Sequence, residues 1–126
     1  MTIEEVIHYE VTNDATIAAL VIGRCYPLRM PQNATLPNVV YQLVSETPLH
    51  VSSYVDPRFQ LACWAETYAG AVALATAVRT LFEGRHVTAG GVHYRALVVN
   101  ELDSAPDELT GYYRRLVDVK FVYRKL

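Results

Sequence analysis

Prolines at positions 27, 31, 37 and 48 punctuate the stretch GRCYPLRMPQNATLPNVVYQLVSETP, residues 23–48, and they dictate where a sheet can run. A proline has no backbone N–H and a fixed φ, so it sits at strand ends, edges or loops and not inside a central strand. Residues 24–30 therefore read as an edge strand or irregular arm, and residues 31–36 as a loop. Residues 38–46 read as a strand that Pro48 closes. Val39, Tyr41 and Leu43 fall on one of its faces and Val40 and Val44 on the other, the pattern expected of a strand covered on both sides. The segment carries no catalytic group.

The remaining elements follow from periodicity. Thr2 and Glu5 have capping-box spacing, and Ile3, Val6, Ile7 and Val11 recur at helical intervals, which predicts an N-terminal amphipathic helix. Asn13 and Asp14 interrupt it; Asp14 can cap a second short helix through Ile22, ended by Gly23. A polar connection with His50, Ser52, Ser53 and Asp56 leads to residues 58–66, the hairpin partner of the first strand. Phe59, Leu61, Cys63 and Ala65 share one face of it, and Gln60, Trp64 and Glu66 the other. Thr67 opens the clearest helix, residues 67–83, whose one narrow polar stripe is Thr76, Arg79, Thr80 and Glu83. A turn at Ala89-Gly90-Gly91 leads into a strand over residues 92–102. An acidic tip, ELDSAPDELTG, precedes the last strand, residues 112–124, which reads as buried on one face only. The fold class predicted is α+β over a single domain, residues 1–126: an antiparallel sheet with a long helix packed on one face, plus an N-terminal helix.

Chemistry is scarce. His8, His50, His86 and His93 with Cys25 and Cys63 include no C-x-x-C or H-x-x-x-H pair, so no metal site is expected. Both cysteines sit in apolar segments and read as reduced core thiols. No nucleophile elbow and no glycine-rich loop before a helix is present, so neither a catalytic residue nor a cofactor is expected. The formal charge of −2 gives no global attraction for nucleic acid or anionic membrane. No apolar run is long enough to span a bilayer and the first residues are acidic, so synthesis in the cytoplasm is expected. The apolar fraction of 52% includes nine tyrosines, a residue favoured on surfaces that are apolar yet wet, as protein interfaces are.

Taken together, Pro37, Val39, Val40, Tyr41, Ser45, Thr47 and Pro48 in the first strand, Gln60, Trp64, Ala65 and Thr67 at the end of the next, and the Ala-rich helix directly after it form a recognisable pattern. Over about residues 15–124 the chain resembles the tail terminator, or tail-to-head joining, proteins of long-tailed phages, prophages and gene transfer agents. Asn38 departs from the pattern, which has Tyr or Ile directly after the loop proline. The resemblance implies a structural virion protein at the tail end or neck, made in a bacterial host. It implies a homo-oligomeric ring, usually a hexamer, that caps the tail tube, stops its polymerisation and meets a head completion or connector protein. DNA would pass through the lumen unread, and neither a membrane partner nor an enzymatic role is implied.

Two loops are the expected assembly surfaces, being long, polar and at sheet ends. The first contributes His50, Tyr54 and Asp56; the second, residues 101–111, contributes Leu102, Asp103, Asp107, Glu108 and Leu109. Two other readings remain open on the residues. One is a different neck, head-completion or minor tail protein. The other is a small α+β enzyme or ligand-binding domain with a pocket between the residue 67–83 helix and the sheet.

Overall fold

The computed structural model describes residues 1–46 and 53–124. Helix α1, Ile3–Asn13, begins at the expected capping box: the Glu5 amide donates to Thr2 Oγ1 and the Thr2 amide to Glu5 Oε1. Its buried stripe is Ile3, Val6, Ile7, Glu10 and Val11. Asp14 ends α1 and caps α2, Ala15–Val21, by accepting from the Ile17 amide at 3.1 Å. Ile22, rather than Gly23 alone, takes the left-handed conformation there, with φ of 50° followed by 77° at Gly23.

The strands are β1 Cys25–Pro27, β2 Asn38–Ser45, β3 Tyr54–Val55, β4 Arg58–Ala65, β5 His86–Ala89, β6 Val92–Ser104 and β7 Tyr113–Arg124. They form one sheet in the order β1-β2-β4-β7-β6-β5, and β3 pairs with the far end of β7 in line with β4. All pairs are antiparallel except β1 with β2, so the sheet is mixed. The parallel pair arises because residues 28–37, held by Pro27, Pro31 and Pro37, loop back before β2 starts. Asn38 secures that loop: its side-chain amide is buried and donates to the Thr35 carbonyl at 3.1 Å.

Helix α3, Tyr68–Phe82, starts at Thr67, whose hydroxyl accepts from the Gly70 amide, and lies across one face of the sheet. Ala71, Leu74, Ala75, Ala77, Val78 and Phe82 are buried, and α1 and α2 share the same core on that side. At its centre Phe121 of β7 meets Phe82 of α3 at 5.3 Å between centroids, Tyr94 of β6 at 5.6 Å and Phe59 of β4 at 5.9 Å. Edge-to-face and tilted contacts of this kind add to area burial. A second tie runs through the polar groups beneath α1. Glu10, buried, accepts from Tyr94 Oη at 2.6 Å and from Arg85 Nε and Nη2 at 3.2 and 3.1 Å, so its charge is paired and hydrogen-bonded.

Several expectations need correction. Burial on both faces of β2 holds only through Tyr41; Leu43 is about half exposed where the inner face opens into a hollow shared with Met1, Ile3 and Tyr123, and Val44, at the register irregularity between Leu43 and Ser45, is exposed to a similar extent. The last strand is not covered on one face only. As a central strand between β4 and β6 it also buries Leu116 and Asp118 on the outer face, and Arg58 Nη2 donates to Asp118 Oδ2 at 2.6 Å. Strand β6 runs on to Ser104, two residues further than the sequence suggests, and β5 was not foreseen as a strand.

Truncating Phe121 to Ala should cost about 3–5 kcal/mol, since three aromatic rings lose their common partner; urea melts at constant m-value check it. Ile22→Gly should raise stability by about 1 kcal/mol, because a β-branched side chain is strained at positive φ and this one is 72% exposed, leaving little burial to lose. A lower melting temperature for Ile22→Gly would contradict that reading.

Candidate assembly surface

With helices on the inner side, the outer face of the sheet is the exposed one, and its register arranges side chains in rows. Leu102, Leu116, Ala62, Val40 and Tyr26 stand opposite one another on β6, β7, β4, β2 and β1, an apolar row that crosses five of the strands. One neighbouring row is polar, Asn100, Asp118, Gln60 and Gln42; the other holds Ser104, Arg114, Trp64 and Asn38. Residues 28–34 fold over part of this face, so that Tyr26 and Met30 with Trp64 cover Val40, Ala62 and Leu116. A groove of about 460 Å³ is left between that arm and the β6–β7 tip, floored by Val40, Ala62, Trp64 and Arg114. Arg114 lies 5.1 Å over the Trp64 ring and donates to Ser104 Oγ at 2.5 Å, which fixes it in the groove.

The expected site residues do not form one cluster. His50 lies outside the described residues, as do Thr47, Pro48 and Ser52. Tyr54 sits in β3, half exposed, opposite Arg124; Asp56 is mostly covered, and its carboxylate accepts from Lys120 Nζ at 3.1 Å. At the other end of β7, Leu102 and Asp103 belong to β6 and not to a loop, because the strand continues to Ser104. Asp103 accepts from the Tyr68 hydroxyl at 2.8 Å, a bond that raises the Tyr68 phenol above its ordinary pKa. Asp107 folds the tip: its side chain accepts from the Leu109 amide at 2.9 Å and its carbonyl from Gly111. Glu108 and Leu109 project outward, Leu109 being 96% exposed. Ten residues of β7 separate the position opposite Ser104 from the one opposite Tyr54, roughly 33 Å at strand rise.

The tip is anchored to the helix layer. Arg115 Nη2 donates to Glu101 at 2.8 Å and its Nε lies 3.7 Å from Asp103, while Arg79 of α3 reaches Glu101 at 3.9 Å and Glu83 at 3.6 Å. What reads as the polar stripe of α3 is therefore partly a seam of charge joining it to β6 and β7. Sequence reasoning missed this seam and the groove, since both depend on the two-sided register of β7; the adjacency of Arg114 and Arg115, which point to opposite faces, was the available signal.

Cys25 and Cys63 are both free and buried, and both stand opposite Val39 on its two sides, about 9–10 Å apart and beyond disulfide reach. Burial pushes the Cys25 thiol up to about 12 and the Cys63 thiol higher still. Between α3 and the sheet, where a ligand pocket was considered, the space is filled by the apolar side chains of the core. Among the described residues no helix is long and apolar enough to cross a membrane.

A family profile described as "Tail completion protein gp17" matches residues 5–124. The chain belongs to this tail completion family. A solved structure titled "Virion of native gene transfer agent (GTA) particle" contains a chain of the same fold, with a TM-score of 0.69 at 17% identity over 94% of this chain and 91% of that one. No significant match is found among curated proteins. Membership makes this tail completion protein a structural component of the virion tail.

One prediction concerns the thiols. A folded pKa of about 12 against about 9 for a free thiol means that Cys25 contributes stability in full below pH 9, and that this is lost as pH rises towards 12. Urea melts at pH 8 and 10.5 should show falling stability, and Cys25→Ala should flatten part of the slope. At pH 8 the native protein should resist alkylation at both cysteines until it is unfolded.

Proposed function

We propose that this tail completion protein forms a homo-oligomeric ring of six copies that caps the tail tube, ends its polymerisation and joins the tail to the head. The observation that carries the reading is the placement of the two polar loops at opposite ends of β7, roughly 33 Å apart. A ring built from such subunits presents two chemically different rims. One carries Asp56 and Tyr54, and the other carries Asp107, Glu108 and Leu109.

The outer sheet face suits lateral contact between copies. Its apolar row ends at Leu102, which is 40% exposed, and Leu97 and Val99 beside it on β6 are exposed to a similar extent. Obligate contacts are rich in such surface, and the charge seam behind β6 holds it rigid. Leu109, an apolar side chain at the tip of an acidic loop, is the best candidate for insertion into the tail tube or the head-side protein, with Asp107 and Glu108 next to it in the tip setting orientation. Six copies carry six times the chain's charge of −2, which disfavours retention of DNA in transit.

The test uses tail tubes polymerising in vitro. Wild-type protein added in slight excess should stop elongation and yield short, uniform tubes. The double variant Glu108→Lys/Leu109→Ser should keep the wild-type circular dichroism spectrum and melting curve, since neither side chain is buried, yet should cap at least about tenfold less efficiently. Capping by the variant at wild-type efficiency would remove the tip from the interface, and unchecked elongation with wild-type protein would remove the capping role itself.

A further inference from the structure

Away from both loops, the β5–β6 hairpin brings two imidazoles together. Its two-residue turn is Gly90-Gly91, with φ of 56° and 79°, the conformation whose twist matches the flanking strands. That turn sets Thr88 opposite His93 and His86 opposite Arg95, so His86 and His93 lie diagonally on one face. Their Nε2 atoms are 2.8 Å apart, and their rings are inclined at 64° with centroids 4.7 Å apart. Thr88 Oγ1 lies 2.8 Å from His93 Nδ1, and both rings are exposed to solvent.

We propose that His86 and His93 form a bidentate site for a divalent first-row transition metal of the nickel, copper or zinc class. Imidazole nitrogens bind such ions at about 2.0–2.1 Å; two of them at a right angle stand about 2.9 Å apart, and at the tetrahedral angle about 3.3–3.4 Å. The separation of 2.8 Å matches the right-angled arrangement of tetragonal or octahedral coordination, which Ni²⁺ and Cu²⁺ favour. Thr88 supplies the outer support such a ligand needs: by accepting from His93 Nδ1–H it leaves the Nε2 lone pair free to bind. With His93 in that tautomer, His86 Nε2–H is the group that would donate to the lone pair in the metal-free chain, and metal binding replaces this contact when the His86 proton sits on Nδ1.

No third His, Cys, Asp or Glu joins the pair among the described residues, so the other coordination positions are open to water or to a donor from another chain. Arg95, directly across from His86, opposes a cation, and Glu4, Glu46 and Arg124 line the hollow that His93 borders. Seven residues apart, the two histidines match no local ligand spacing; the register of the Gly-Gly turn is what couples them.

Tag-free protein titrated with Ni²⁺ at pH 7.5, followed by calorimetry and by NMR of the imidazole protons, tests the site. One ion should bind per chain, broadening His86 and His93 while sparing His8. His86→Asn and His93→Asn should each weaken binding by at least about tenfold with unchanged melting curves, and Arg95→Gln should tighten it. Absence of binding at millimolar Ni²⁺, or undiminished binding in both asparagine variants, would overturn the proposal.

Discussion

Phe121 stands where every layer of the molecule meets. Its ring touches Phe82 of α3, Phe59 of β4 and Tyr94 of β6, so one side chain on the central strand locks the long helix to the strands on either side. Tyr94 extends the lock outward, because its hydroxyl donates to Glu10 of α1, which Arg85 also holds. Close packing of large rings makes the inner face rigid, and a rigid inner layer allows the opposite face to remain open without loss of shape.

That division of labour accounts for the apparent poverty of the sequence in chemistry. Apolar side chains of α1, α2 and α3 are spent on one face of the sheet, while the other face carries an apolar row bordered by polar ones and partly covered by the arm over residues 28–34. Ionisable groups are placed where they fasten segments together. Arg58 with Asp118 and Lys120 with Asp56 act at one end of the sheet, and Arg115 with Glu101 at the other. A structural part of a virion tail needs its segments held in fixed relation, and these pairs fasten both ends of the sheet.

The helices were legible because their signals are local. Thr2, Asp14 and Thr67 each accept the expected amide, and the apolar spacing of α1 and α3 identifies the buried stripes. The start of β2 directly after Pro37 was legible for the same reason, whereas β1 ends at Pro27, short of the residue 24–30 segment expected. Parallel pairing of β1 with β2 was not, since direction depends on the path of residues 28–37 rather than on composition. Burial of Asp118 and the extension of β6 past Leu102 follow from the central place of β7, a property of the whole sheet. Of the surface residues, Leu109 and Glu108 were recognisable from an acidic tip, whereas the groove with Trp64 and Arg114 needs two strands and the arm to be placed together.

The central claim, that this tail completion protein terminates the tube and sits at its head-proximal end, is tested most directly by electron microscopy of tails made with and without it, its position marked by a small tag. The account predicts uniform tails with the tag at the head-proximal end, and tails of uncontrolled length when the protein is missing. Normal length control in its absence, with the tag elsewhere on the particle, would contradict it.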